Sequence, residues 1–211
     1  MTTVLRYRLR FSKRAKLRFI SHRDLMLVFE RALRRAGLTV AYSQGFNPHP
    51  KLTFAHALAL GVESHDEIID IELSDDPSPD EFRSRLNEQM PEGAEILSCM
   101  AIEKNAKLVV DGIDYQVEIE PAARDDILLS LTRFAEAENA TITRERKGRV
   151  RSIALKDFVR NPRFEDDVIK FTLRFTSEGS MKPTEFLDWL GIDSNELKIV
   201  KTRTCLADDQ P

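Results

Sequence analysis

A chain of 211 residues with 42% hydrophobic content is long enough for one large core or for two cores of about 100 residues each. Its net charge of −3 conceals an asymmetry: residues 1–51 hold 12 Lys or Arg against Asp24 and Glu30 (12 − 2 = +10), which leaves −13 for the rest. No apolar run reaches the roughly 18 residues of a membrane span, MTTVLRYRLRF alternates where a signal peptide would be continuous, and Cys99 and Cys205 match no zinc or disulfide spacing, so a cytoplasmic protein is expected.

Residues 4–11, VLRYRLRF, place Leu5, Tyr7, Leu9 and Phe11 on one face of a strand and Arg6, Arg8 and Arg10 on the other. Ser21 and Asp24 have the spacing of a capping box, which predicts a helix to about Ala36 that buries Leu25, Val28, Phe29, Ala32 and Leu33, leaves Arg31, Arg34 and Arg35 accessible and ends at Gly37. Leu38 to Ser43 reads as a second strand, Leu52 to Leu60 as a short strand or helical turn, and Glu67 to Leu73 as a clear strand. Ser78 and Pro79 open a second helix, and Glu95 to Glu103 forms a further strand.

After a polar join at 104–112 the same order recurs. Tyr115, Val117 and Ile119 pattern a strand, Ile127 to Phe134 a helix and Thr141 to Leu155 a hairpin turning at Lys147 and Gly148. Val168 to Phe175 reads as a strand, Lys182 to Leu190 as a helix and Leu197 to Leu206 as a closing strand. The expectation is an α+β protein of two tandem ferredoxin-like (βαββαβ) sandwiches, residues 1–105 and 106–211, the second with an extended basic hairpin. In that order the first and third strands are neighbours, so Arg6, Arg8 and Arg10 lie beside Asp70 and Glu72 and are partly neutralised there.

The stretch Tyr42 to Ser64, YSQGFNPHPKLTFAHALALGVES, resists this patterning, since Gly45, Asn47, Pro48 and Pro50 exclude a continuous helix or ladder strand. Ser43, Gln44, Asn47 and Lys51 offer polar groups and a cation and Phe46 a stacking surface. This set suits a splayed RNA base, a small anion or a self-satisfied structural loop. With Arg6, Arg8, Arg10, Arg18 and Arg23, and with Arg146, Lys147 and Arg149 of the hairpin, it makes up the expected nucleic-acid-binding set. A solvated ribbon that resists edge pairing is the alternative for the hairpin. His22 and His49 are candidates for acid–base work on RNA, against plain surface or capping roles. The histidine spacings fit no metal motif, and no phosphate-binding loop, dinucleotide fingerprint or hydrolase elbow occurs, so neither metal nor cofactor is expected.

SQGFNPHPKLTFAHALALGVES, preceded by RFISHRDLMLVFERALRRAG and followed by DEIIDIEL, KDFV, FTLRFTSEGSMKPTEFL and KTRTCL, resembles the bacterial radical-SAM-linked proteins, a domain of unknown function. Members of that family are encoded beside, or fused to, a radical SAM enzyme. This chain lacks C-x-x-x-C-x-x-C, so the resemblance implies a partner of such an enzyme, and it carries over no catalytic residue. The functional expectation is a non-catalytic RNA-binding accessory to a radical SAM enzyme in RNA modification or processing. The alternatives are a metal-independent endoribonuclease using His22 and His49, and a protein-interaction scaffold for the enzyme without RNA.

Overall fold

The N-terminal alternation becomes strand β1 (Leu5–Lys13), whose Tyr7, Leu9 and Phe11 are fully buried. The computed structural model describes residues 4–146, 148–194 and 197–209 and divides the chain into two compact units, Met1–Val109 and Val110–Pro211. In the first unit a 3-10 turn (Ala15–Phe19) leads to helix α1 (His22–Arg35). The capping box forms as read: the Asp24 amide donates to Ser21 Oγ at 3.1 Å and the Ser21 amide to the Asp24 carboxylate at 3.3 Å. Gly37, at φ +67°, takes the left-handed conformation that ends the helix.

Strands β2 (Leu52–Phe54), β3 (Glu63–Leu73) and β4 (Ala94–Ile102) and helix α2 (Pro79–Asn87) complete the unit. Its strand order is β4-β1-β3-β2, with antiparallel pairing throughout. The apolar stripe of α1 (Leu25, Phe29, Ala32, Leu33) and Phe82 and Leu86 of α2 close over Tyr7, Leu9, Phe11, Ile69, Ile71 and Leu73. Edge-to-face ring pairs tie the layers, Tyr7 with Phe82 at 5.2 Å and Phe11 with Phe29 at 4.9 Å.

The second unit contains β5 (Val110–Glu118), α3 (Arg124–Glu136), the hairpin β6 (Thr141–Arg146) and β7 (Arg149–Ala154), the single turn α4 (Leu155–Phe158), β8 (Val159–Glu165), β9 (Val168–Arg174), α5 (Pro183–Trp189) and β10 (Ile199–Leu206). Four of its strands run β10-β5-β9-β8, and β6 and β7 pair only with each other. Phe134 and Phe186 meet at 5.2 Å between the helices, and Phe171 of the sheet packs on Phe186 at 5.0 Å.

Two tandem ferredoxin-like sandwiches are not what the chain builds. It is α+β, with 39% of its residues in strands and 28% in helices. Among the described residues the second unit has six strands, two of them a separate hairpin, where a βαββαβ unit has four. The physical reason is that alternation reports a strand and its faces, not which neighbour its edge accepts. The expected second strand, Leu38 to Ser43, is reduced to two isolated bridges, Val40 to Leu73 and Tyr42 to Pro50. The hairpin forms a sheet of its own, and β8 is an additional strand. Pro162 and the left-handed Asn161 (φ 49°) hid β8 from a periodicity reading, and both are tolerated because it lies at the end of the strand order.

Candidate functional site

The arginine row of β1 is consumed by acids on β3. Arg8 grips Asp70 with two bonds, Nε to Oδ1 at 2.8 Å and Nη2 to Oδ2 at 3.0 Å, and Arg6 Nη2 adds a third at 2.8 Å. Arg10 reaches Asp66 at 2.6 Å. The same arginines hold the chain after β4, Arg6 donating to the carbonyls of Lys104 and Ala106 and Arg8 to that of Lys107. Lys51 pairs with Glu72 at 2.6 Å, and Arg18 stands 4.0 Å from Glu63 with its guanidinium 4.6 Å from the Phe19 ring. Arg23 is exposed on α1. In the hairpin, Lys147 lies outside the described residues, as do the side chains of Arg146 and Arg149.

The loop has a firm base and an open tip. The Ser43 amide donates to the His49 carbonyl at 2.8 Å, the His49 amide to Ser43 Oγ at 3.0 Å and the Lys51 amide to the Ala41 carbonyl at 2.9 Å. Residues 44–48 project beyond these rungs, and Phe46 at their centre is fully exposed. Gly45 turns the tip at φ +134°, with open space where a Cβ would stand. Among the described residues the Gln44 and Asn47 side chains make no hydrogen bond, so their amides face solvent. His49 is exposed at the base of the tip. His22 is exposed too and sets its ring 4.9 Å from that of Phe54. Among the described residues neither imidazole is hydrogen-bonded to a carboxylate.

A groove of about 650 Å³ runs behind the tip. Leu27, Glu30, Arg31 and Arg34 form one wall; their spacing puts all four on one stripe of α1. Leu38, Thr39, Val40, Tyr42 and Pro50 form the other, so the bridged pair at the base of the tip also lines the groove. Glu30, Arg31, Arg34 and Tyr42 were absent from the expected site, although the accessible arginines of the helix were legible. The missed signal is the recurrence at 27, 30, 31 and 34, a second face on a helix whose first face is core.

Among the described residues no three His, Cys, Asp or Glu converge as a metal set. Burial pushes the Cys99 thiol up to about 12, so it keeps its proton at neutral pH and packs, half-buried, against the core. Among these residues no helix is long and apolar enough to cross a membrane.

The family described as "Uncharacterized protein conserved in bacteria (DUF2344)" matches residues 6–183. The chain belongs to this family. The DUF2344 match covers β1, α1, the tip and the groove, so the whole candidate site lies within it. None of the curated proteins matches the chain. Among solved structures, the crystal structure of an unknown protein from Galdieria sulphuraria overlaps 97% of this chain and all of its own at 9% identity, but with a TM-score of 0.30, too low to carry an argument about fold or function.

Proposed function

We propose that this DUF2344 protein is a non-catalytic RNA-binding module that acts with a radical SAM enzyme in RNA modification or processing. The observation that carries the reading is Phe46, fully exposed at the centre of a tip whose base is hydrogen-bonded and whose two amide side chains have no partner among the described residues. Burying a phenylalanine is worth roughly 1.5–3 kcal/mol, and this position forgoes that gain. A planar ring between free amides supplies what an unstacked base needs, a stacking partner and edge-directed hydrogen bonds. The link to a radical SAM enzyme rests on the resemblance of the tip and its flanks, together with the lack of a cluster-binding cysteine triplet.

Filter binding to total RNA over a salt series tests the reading. Expected are measurable affinity at low salt, its decline with rising salt, and at least a tenfold loss in Phe46→Ala. Absence of RNA affinity at low salt overturns it. A second reading, a docking surface for the enzyme itself, is favoured by exposed Phe19 and Leu60, which the bond from the Gly61 amide to the Arg18 carbonyl (2.9 Å) brings together. It predicts a co-purifying complex free of nucleic acid and weakened by Phe19→Ser.

A further inference from the structure

Arg31 and Arg34 are the cations of α1 that line the groove, and among the described residues nothing in their unit pairs with them. Arg35 reaches Gln89, donating to its carbonyl at 2.5 Å, and the carbonyls of Ala36 and Gly37 that follow the helix are taken by Arg85 at 2.8 and 3.1 Å. The C-terminal end of α1 is therefore satisfied without Arg31 or Arg34, and among the described residues neither guanidinium has a hydrogen-bond or ion-pair partner. Glu30 and Arg34 have the i,i+4 spacing of a helical ion pair, yet no such pair forms among those residues. The helix dipole favours a cation in the last turn and so accounts for Arg34, but Arg31 lies before that turn. Two unengaged like charges three residues apart are a small local cost that a bound anion would remove.

From this we infer that the groove between α1 and residues 38–50 is a nucleotide subsite that takes one unit of single-stranded RNA. The phosphate sits on Arg31 and Arg34, which present planar forks suited to its oxygens. The base lies against Tyr42, a residue 55% exposed. Glu30, on the same stripe, accepts from an exocyclic amine, as carboxylates do from cytosine N4, so the subsite prefers an amino-bearing base to uracil. Leu27, Leu38, Val40 and Pro50 supply the apolar remainder, and about 650 Å³ lies in the range of small-ligand sites. The helix C-terminus opposes an anion, but more weakly than each hydrogen bond from a charged donor favours it.

This inference rests on the RNA-binding reading, and its test separates the two. Full-length protein is titrated with fluorescein-labelled single-stranded oligocytidylate and oligouridylate, with CMP and inorganic phosphate as competitors. The expected results are tighter binding of oligocytidylate and competition by CMP at lower concentration than by phosphate. Arg31→Gln/Arg34→Gln and Tyr42→Ala each lose at least tenfold, the double variant with a salt slope shallower by about 0.7 per phosphate contact removed. Glu30→Gln abolishes the preference for cytidylate. All of these positions are on the surface, and an unchanged thermal midpoint excludes unfolding as the cause. If wild type binds RNA and both groove variants bind it equally well, the subsite falls and the RNA reading stands. Groove-dependent CMP binding without RNA affinity removes the RNA reading and overturns the subsite as a place for a unit of RNA. No affinity for either removes both.

Discussion

Asp70 is the residue on which the N-terminal arginines depend. Its carboxylate is almost wholly buried and accepts three bonds from Arg6 and Arg8. Asp70→Asn removes the carboxylate charge that the two enclosed guanidiniums share, and a loss of about 3–5 kcal/mol is expected by urea denaturation. RNA affinity should not rise in that variant; an increase would return the arginine row to the binding face. The neighbourhood of these charges was legible, since Arg8 does register opposite Asp70 and Arg6 opposite Glu72. That Asp70 serves both arginines while Glu72 turns to Lys51 was not, because it depends on strand twist and rotamer.

Two further residues set the alkaline behaviour. Burial raises the Cys99 thiol to about 12, and burial, with Asp76 nearby, raises the Tyr7 phenol, which donates to the Pro77 carbonyl at 2.8 Å. Both groups hold their protons more tightly folded than unfolded. Their contribution is therefore complete below the unfolded values near 9 and 10, and is lost as pH rises through the raised ones. Denaturation midpoints should fall between pH 9 and about 12, less steeply in Cys99→Ala and Tyr7→Phe. Lys13, lowered chiefly by burial, acts with the opposite sign. In the native protein Cys99 should also resist iodoacetamide at about pH 8 and react once urea unfolds the chain, as peptide mapping would show.

At the scale of elements, the caps and the inward faces followed local rules and were readable. Ser21 and Ser78 both accept the amide three residues on, and Ser21→Ala should cost about 1 kcal/mol. The edge of β4 was not readable. There Asn87, at the end of α2, donates to the Ile96 carbonyl at 3.0 Å and accepts its amide at 2.7 Å, standing in for a neighbouring strand. Asn87→Ala should lower stability by roughly 1–3 kcal/mol and promote concentration-dependent association, measured by light scattering. Phe46→Ala, by contrast, should leave the thermal midpoint unchanged, because the ring touches nothing that folding needs.

For the whole molecule, the +10 of the first 51 residues overstated the charge available to a polyanion. Arg6, Arg8, Arg10 and Lys51 are paired within their own unit, Arg6 and Arg8 sharing one carboxylate, and Arg18 stands near Glu63. The salt slope of RNA binding should accordingly report a few phosphate contacts, not a dozen. Strand faces, helix starts and the oddity of residues 42–64 follow from relations between residues two to four positions apart, which any short window of sequence contains. Which cation meets which carboxylate is a relation across 64, 62, 56 and 21 residues. Strand register settles such distant pairings: the β1 row is paired on β3, while among the described residues Arg31 and Arg34 of the groove keep no ion-pair partner.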